Sequence, residues 1–79
     1  MKHDIPLCAK VVDSLEAYFE HLEGNFPANL YQMVLSEVEA PLFKVVMKQV
    51  QNNQSKAASM LGLSRGTLRK KLKQYGLDK

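Results

Sequence analysis

The sequence predicts an all-α fold with four helices per chain. Two long helices pair with those of a second copy into a four-helix core, and a helix-turn-helix closes the C-terminus. Three observations predict this. Apolar residues recur every three or four positions across residues 5–22 and again across 27–50, the spacing of one helix face. Proline and glycine fall at the ends of those runs rather than inside them, with Pro41 as the exception. The last third then changes to two short helical stretches either side of Gly62.

Asp4-Ile5-Pro6 reads as a helix start, an acidic cap followed by proline in the first turn. Leu7, Val11, Leu15, Phe19 (with Tyr18) and Leu22 supply the apolar face of a helix from about residue 5 to 22. Gly24 suits the left-handed turn past its end, and Asn25 with Pro27 suits the start of the next helix. That second helix carries Leu30, Val34, Val38, Leu42, Val45, Val46 and Val50 as its apolar positions. Pro41 removes one backbone donor from its middle, and because the stripe resumes in register the expectation is a kink rather than a break. Two such helices joined by a short loop cannot bury both stripes against each other, so a homodimer is expected.

Asn52-Asn53-Gln54-Ser55 is a polar hinge that offers caps. Lys56 to Leu61 is a short helix, and Gly62 ends it. Ala57 and Ala58 let the neighbouring helix approach, since bulkier residues there would push the two apart. Ser64 caps a final helix, Arg65 to Tyr75, closed by Gly76. The expected organisation is one domain over residues 1–79, with dimerisation helices over 5–50 and the helix-turn-helix over 53–76.

Charge divides along the same line. Residues 1–50 hold four lysines and seven acids, a balance of −3, whereas residues 51–79 hold seven basic residues and one acid, Asp78. A basic third on a mildly acidic body implies a polyanion held on one face. On the last helix Leu68, Leu72 and Tyr75 share the apolar face, while Arg65, Thr67, Arg69, Lys70, Lys71 and Lys73 project from the rest. The major groove of DNA admits such a helix, N-terminal end first. Arg65 can bond a guanine bidentately, Thr67 suits a phosphate or a thymine methyl, and the lysines further along suit phosphates. Gly66 keeps the first turn slim enough for the backbone to come close. A surface of this kind that docks an acidic protein partner is the alternative reading; RNA is a weaker third, since no aromatic stacking residues stand among the cations of the basic face.

Other chemistries find little support. Hydrophobic residues at 46% and charged residues at 24% are ordinary globular composition, and the size leaves room for one modest core. Cys8 cannot form an internal disulfide and is expected to be buried or interfacial. His3 and His21 lack partners at metal-ligand spacing, Glu37 and Glu39 face different ways on a helix, and no serine sits in a nucleophile elbow. No enzyme, cofactor, metal or small-molecule ligand is therefore expected. Met33, Met47 and Met60 are read as core gap-fillers. Apolar runs too short for a signal peptide or a membrane span imply a cytoplasmic protein.

The stretch NQSKAASMLGLSRGTLRKKLKQYG resembles the C-terminal helix-turn-helix of the Fis family (factor for inversion stimulation), bacterial nucleoid-associated proteins. LYQMVLSEVEAPLFKVVM is similar to that family's long proline-containing helix, and the likeness runs from about Leu7 to Leu77. The resemblance implies an intertwined homodimer that binds and bends double-stranded DNA with weak sequence preference, with RNA polymerase as a candidate protein partner. It implies that Arg65 reads a guanine near each end of the site, that Lys70 reaches bases, and that Asn53, Ser55, Lys56, Thr67, Arg69, Lys71 and Lys73 hold phosphates. Ser64 stands where better-known members have an asparagine able to crowd a base, so it joins the base-reading set with an altered preference. Gln51 stands where they carry a basic residue, which implies one flanking contact fewer. Longer members begin with a β-hairpin arm that stimulates recombinases; this chain has no residues for one, so that activity is not expected.

Overall fold

The computed structural model describes residues 6–78, and they contain four α-helices: α1 (Leu7–Leu22), α2 (Leu30–Gln49), α3 (Gln54–Leu61) and α4 (Arg65–Gln74). No strand occurs among these residues, as the all-α expectation requires. None of the helices is long and apolar enough to cross a membrane. The chain divides into two compact units between Leu30 and Tyr31.

The first unit is built on α1. Its apolar stripe is present, with Val11, Leu15, Tyr18 and Leu22 half-buried, but α1 contributes no buried residue. Leu7, Val12 and Phe19 are exposed, and so is Cys8, which is therefore not buried within its own chain. One helix cannot enclose its own stripe. The expected acidic cap at Asp4 and the residue Ile5 lie outside the described residues; Pro6 takes the cap position, with no side-chain cap bond. At the other end Glu23 adopts the left-handed cap conformation, and Gly24 past the helix end also has positive φ, at +90°. Asn25 does not start α2. Its backbone N–H and its side-chain Nδ2 both donate to the Leu22 carbonyl at 3.0 Å, closing α1 instead.

The second unit takes in α2 from Tyr31 onward; the helix itself begins at Leu30 rather than near Pro27. Asn29 has φ +57°, and a left-handed residue cannot belong to a right-handed helix, so α2 must start after it. The helix then runs unbroken through Pro41 to Gln49. Its C-terminal half buries Phe43, Val46 and Met47, with Val50 packed beside them. Leu42 and Val45, expected on the same stripe as Val46, are instead 43% and 56% exposed. This half of α2 is therefore apolar on two faces. Positions 43, 46, 47 and 50 form the inner one, and 38, 42 and 45 run along another.

Against the inner face pack Ala57 and Ala58 of α3 and Leu68 and Leu72 of α4, with Leu61, Leu63, Tyr75 and Leu77 around them. Leu68 and Leu72 are fully buried. Truncating a buried leucine to alanine typically costs about 2–5 kcal/mol, which makes these two the main anchors of α4. Met60, expected in the core, is 61% exposed because it falls on the face of α3 away from Ala57 and Ala58. Met47 is buried and Met33 half-buried.

All three helix ends in this unit close with the same pair of bonds. After α3, Gly62 (φ +73°) donates to the Ser59 carbonyl at 3.2 Å and Leu63 donates to that of Ala58 at 3.0 Å. After α4, Gly76 and Leu77 do the same with Lys73 and Leu72. After α2 the left-handed position is held by Gln51 (φ +53°), followed by Asn52 at φ +65°. Glycine adopts that conformation freely; other residues pay roughly 1–2 kcal/mol. Offset by the extra freedom glycine brings to the unfolded chain, Gln51→Gly is expected to raise stability by about 0.5–1 kcal/mol in urea denaturation. A loss of stability would mean that the glutamine side chain makes a compensating contact.

Candidate nucleic-acid interface

The interface is built on α3, the turn at residues 62–64, and α4. Each start is capped as the sequence predicts. Asn53 Oδ1 accepts the Lys56 N–H at 3.1 Å, and Ser64 Oγ accepts the Thr67 N–H at 3.1 Å. Ser64 also donates its hydroxyl proton to Thr67 Oγ1 at 3.0 Å. Both Ser64 functions are thus directed to Thr67, while the Thr67 hydroxyl keeps its own proton for an outside acceptor. Asn53 retains its amide donors, which have no partner among the described residues.

With Leu68 and Leu72 pointing inward, the helical period sorts the remaining side chains of α4. Arg65, Arg69 and Lys73 recur at i, i+4 and i+8 along one edge, spanning about 12 Å at 1.5 Å per residue. Lys70 lies opposite the buried pair. Arg65, Arg69, Lys70 and Lys73 are all exposed, as are Ser55, Lys56 and Thr67. None of those four cations makes an ion pair among the described residues. Arg69 and Lys73 border a shallow open cleft with Gln54 and Asp78. Asp78 is the one acid lining that cleft and pairs with neither cation, so this face carries a net positive charge, the arrangement that attracts a polyanion.

Lys71 differs. It is half-buried, on the flank of α4 that meets α2, and its Nζ lies 3.2 Å from Glu39 Oε1. The same carboxylate oxygen accepts the Tyr75 hydroxyl at 2.6 Å, and the Tyr75 ring packs against Phe43 with centroids 6.1 Å apart. The Tyr75 bond, reinforced by Lys71, holds the Glu39 carboxyl below its ordinary range against the opposing effect of desolvation. Bonding to Glu39, and then desolvation, push the Tyr75 phenol up. Sequence reading missed this strap. The available signal was an acid at position 39 in step with the inward positions 43, 46 and 50.

Gly66 sits in the first turn of α4 with ordinary helical backbone, and a Cβ placed on it would meet nothing within 4 Å. Neither conformation nor internal packing requires glycine there. No group of three or more His, Cys, Asp or Glu side chains among the described residues could hold a metal ion. His21 Nδ1 lies 2.9 Å from the Ala17 carbonyl of its own helix; His3 is outside the described residues.

Residues 34–75 match the family model for bacterial regulatory proteins of the Fis family. The chain is 51% identical over 72 residues to the DNA-binding protein Fis of Psychromonas ingrahamii, covering 91% of this chain and 73% of that protein. It is 60% identical over 67 residues to a putative Fis-like DNA-binding protein of Pseudomonas aeruginosa, covering 85% of this chain and 64% of that one. With the DNA-binding protein Fis of Glaesserella parasuis it shares 49% over 74 residues, covering 94% and 76%.

Two outcomes follow from this geometry. Because the folded Glu39 pKa is lowered, its contribution is present above the ordinary value of 4.5 and fades as pH falls through the lower folded value. Glu39→Gln is expected to flatten the loss of thermal stability below about pH 4.5, and an unchanged acid limb would show the strap to be inert. Gly66→Ala is expected to raise stability by roughly 0.5–1 kcal/mol, as helix propensity dictates at a position with free space. A destabilised variant would mean that the first turn of α4 is under a constraint beyond its own backbone.

Proposed function

The chain belongs to the Fis family of bacterial regulatory proteins, and from that premise we propose that it is a homodimeric regulator of transcription that binds and bends double-stranded DNA with weak sequence preference. It acts on the nucleoid in the cytoplasm, with RNA polymerase as a candidate protein partner. The relatives named above are called DNA-binding proteins. The observation that carries the reading for this chain is the outward face of α4, where four exposed cations lack an internal counter-ion while two buried leucines hold the helix from behind.

In this reading α4 enters the major groove with its N-terminal turn leading. Arg65, in that turn, bonds the O6 and N7 of a guanine, and Lys70 reaches base edges from the face opposite the core. Ser64 contributes its compact bulk beside a base rather than its hydroxyl, which Thr67 occupies. Asn53, Ser55, Lys56, Thr67, Arg69 and Lys73 position the duplex through phosphates. Gly66 lets the backbone approach the groove wall, which accounts for a helical glycine with no internal need. Dimerisation is supported by α1, which buries nothing, and by the exposed Leu42 and Val45 on the second apolar face of α2. The stripes from residues 5–50 close against a second copy, with Pro41 as the site of a kink. The family resemblance implies that the two recognition helices of the dimer sit closer together than successive major grooves, so the duplex bends to meet both and flexible steps in the DNA supply part of the preference.

Gel-shift titrations on circularly permuted duplexes, at two salt concentrations, test this. Dimer stoichiometry with position-dependent mobility is the expected outcome. Arg65→Ala is expected to lose about 1–3 kcal/mol of discrimination for guanine near the ends of the site, and Lys73→Ala to weaken all duplexes alike and lower the salt slope by about 1. Binding without bending would remove the close-helix geometry, and no binding at low salt would reassign the basic face to an acidic protein partner.

A further inference from the structure

Of the cations on α4, Lys71 is the one that makes an ion pair among the described residues. Its partner oxygen, Glu39 Oε1, also receives the Tyr75 hydroxyl, so one carboxylate on α2 holds two side chains one turn apart on α4. Glu39 is 17% exposed and Lys71 30% exposed at the side chain, so the pair is only partly screened by water. Exposed neighbours such as Arg69 and Lys73 have no such partner. We propose that Glu39 is a positioning residue that withholds Lys71 from nucleic acid: it acts as an internal rival to phosphate and so limits the sequence-independent part of DNA binding. This rests on the reading of α4 as the DNA-contacting helix.

Affinity for any duplex rises with the number of phosphates neutralised, each contributing about 0.9 to the slope of log K against log salt. A lysine already neutralised by a carboxylate does not add to that number. Base-edge contacts from Arg65 and Lys70 do not depend on Lys71, so keeping it out of the count lowers affinity for random duplex without lowering discrimination. The strap does this at no loss of structure, because the residue that neutralises Lys71 is the one that ties α4 to α2 through Tyr75. Were Lys71 instead free, as the family resemblance implies, the duplex would be held by one more phosphate contact in each protomer.

Glu39→Gln tests the idea, since the amide oxygen still accepts from Tyr75 and Lys71 while the charge is removed. On random-sequence duplex the salt slope is expected to steepen by about 0.9 per bound protomer. Glu37→Gln makes the same change in net charge on the exposed side of α2 and is expected to leave the slope unchanged. Lys71→Met is expected to leave the slope unchanged in the native background and to abolish the gain in the Glu39→Gln background, a coupling a merely structural role would not produce. Lys71→Met flattening the native slope by about 0.9 would overturn the proposal, as would equal slopes for Glu39→Gln and the native chain. Should Glu39→Gln fail to fold, the native-background Lys71→Met measurement decides alone. Failure of the native chain to bind any duplex at low salt would overturn the DNA reading itself and this proposal with it.

Discussion

The burial of Leu68 and Leu72 under α2 and α3 is the constraint on which the cationic surface of α4 depends. Two leucines one turn apart fix both the rotation of α4 and its distance from the rest of the unit. Their partners explain why the fit is close. Ala57 and Ala58, buried on α3, leave room for the leucines that any larger side chain would occupy. A buried leucine stabilises by about 1.5–3 kcal/mol relative to exposure, against about 1 kcal/mol for a cap such as Ser64 or Asn53. Packing therefore decides where α4 lies, and the caps decide where it begins. Once the rotation is set, the period of the helix alone distributes Arg65, Arg69, Lys70 and Lys73 to the outside.

Electrostatics refine that placement. The second unit contains several cations and few acids, and the one acid aimed inward, Glu39, is positioned where it restrains the end of α4. A single partly exposed ion pair would contribute little on its own. Here the carboxylate oxygen is shared with a short bond from Tyr75, whose ring packs on Phe43, so polar and apolar contacts support the same geometry. The result is an α4 whose N-terminal turn is free on its outer side and whose C-terminal half is tied to α2.

The long helices present the opposite situation, with apolar side chains that stay exposed among the described residues. α2 has apolar residues on two faces over its C-terminal half, and the inner face is the one covered. Exposed Leu42 and Val45, and an α1 without a buried residue, are the apolar surface on which the proposed dimerisation rests.

Much of this was legible in the residues. Four helices, the caps at Asn53 and Ser64, the turn at Gly62 and the inward pair Leu68 and Leu72 all follow from period, cap chemistry and glycine placement, which are local properties. The basic third was equally plain as a list of charges. Three things were not. The start of α2 depended on Asn29 adopting a left-handed backbone, which no neighbouring residue announces. The exposure of Leu42 and Val45 depended on which of the two apolar faces of α2 meets α3 and α4, and that of Met60 on which side of α3 turns inward. The removal of Lys71 from the free cations depended on Glu39, 32 positions earlier in the chain. Local sequence determines which conformation a segment adopts, because backbone and cap energies act within a turn. Which face is buried and which charge is neutralised arises only when distant segments meet, so the tertiary structure alone could decide them.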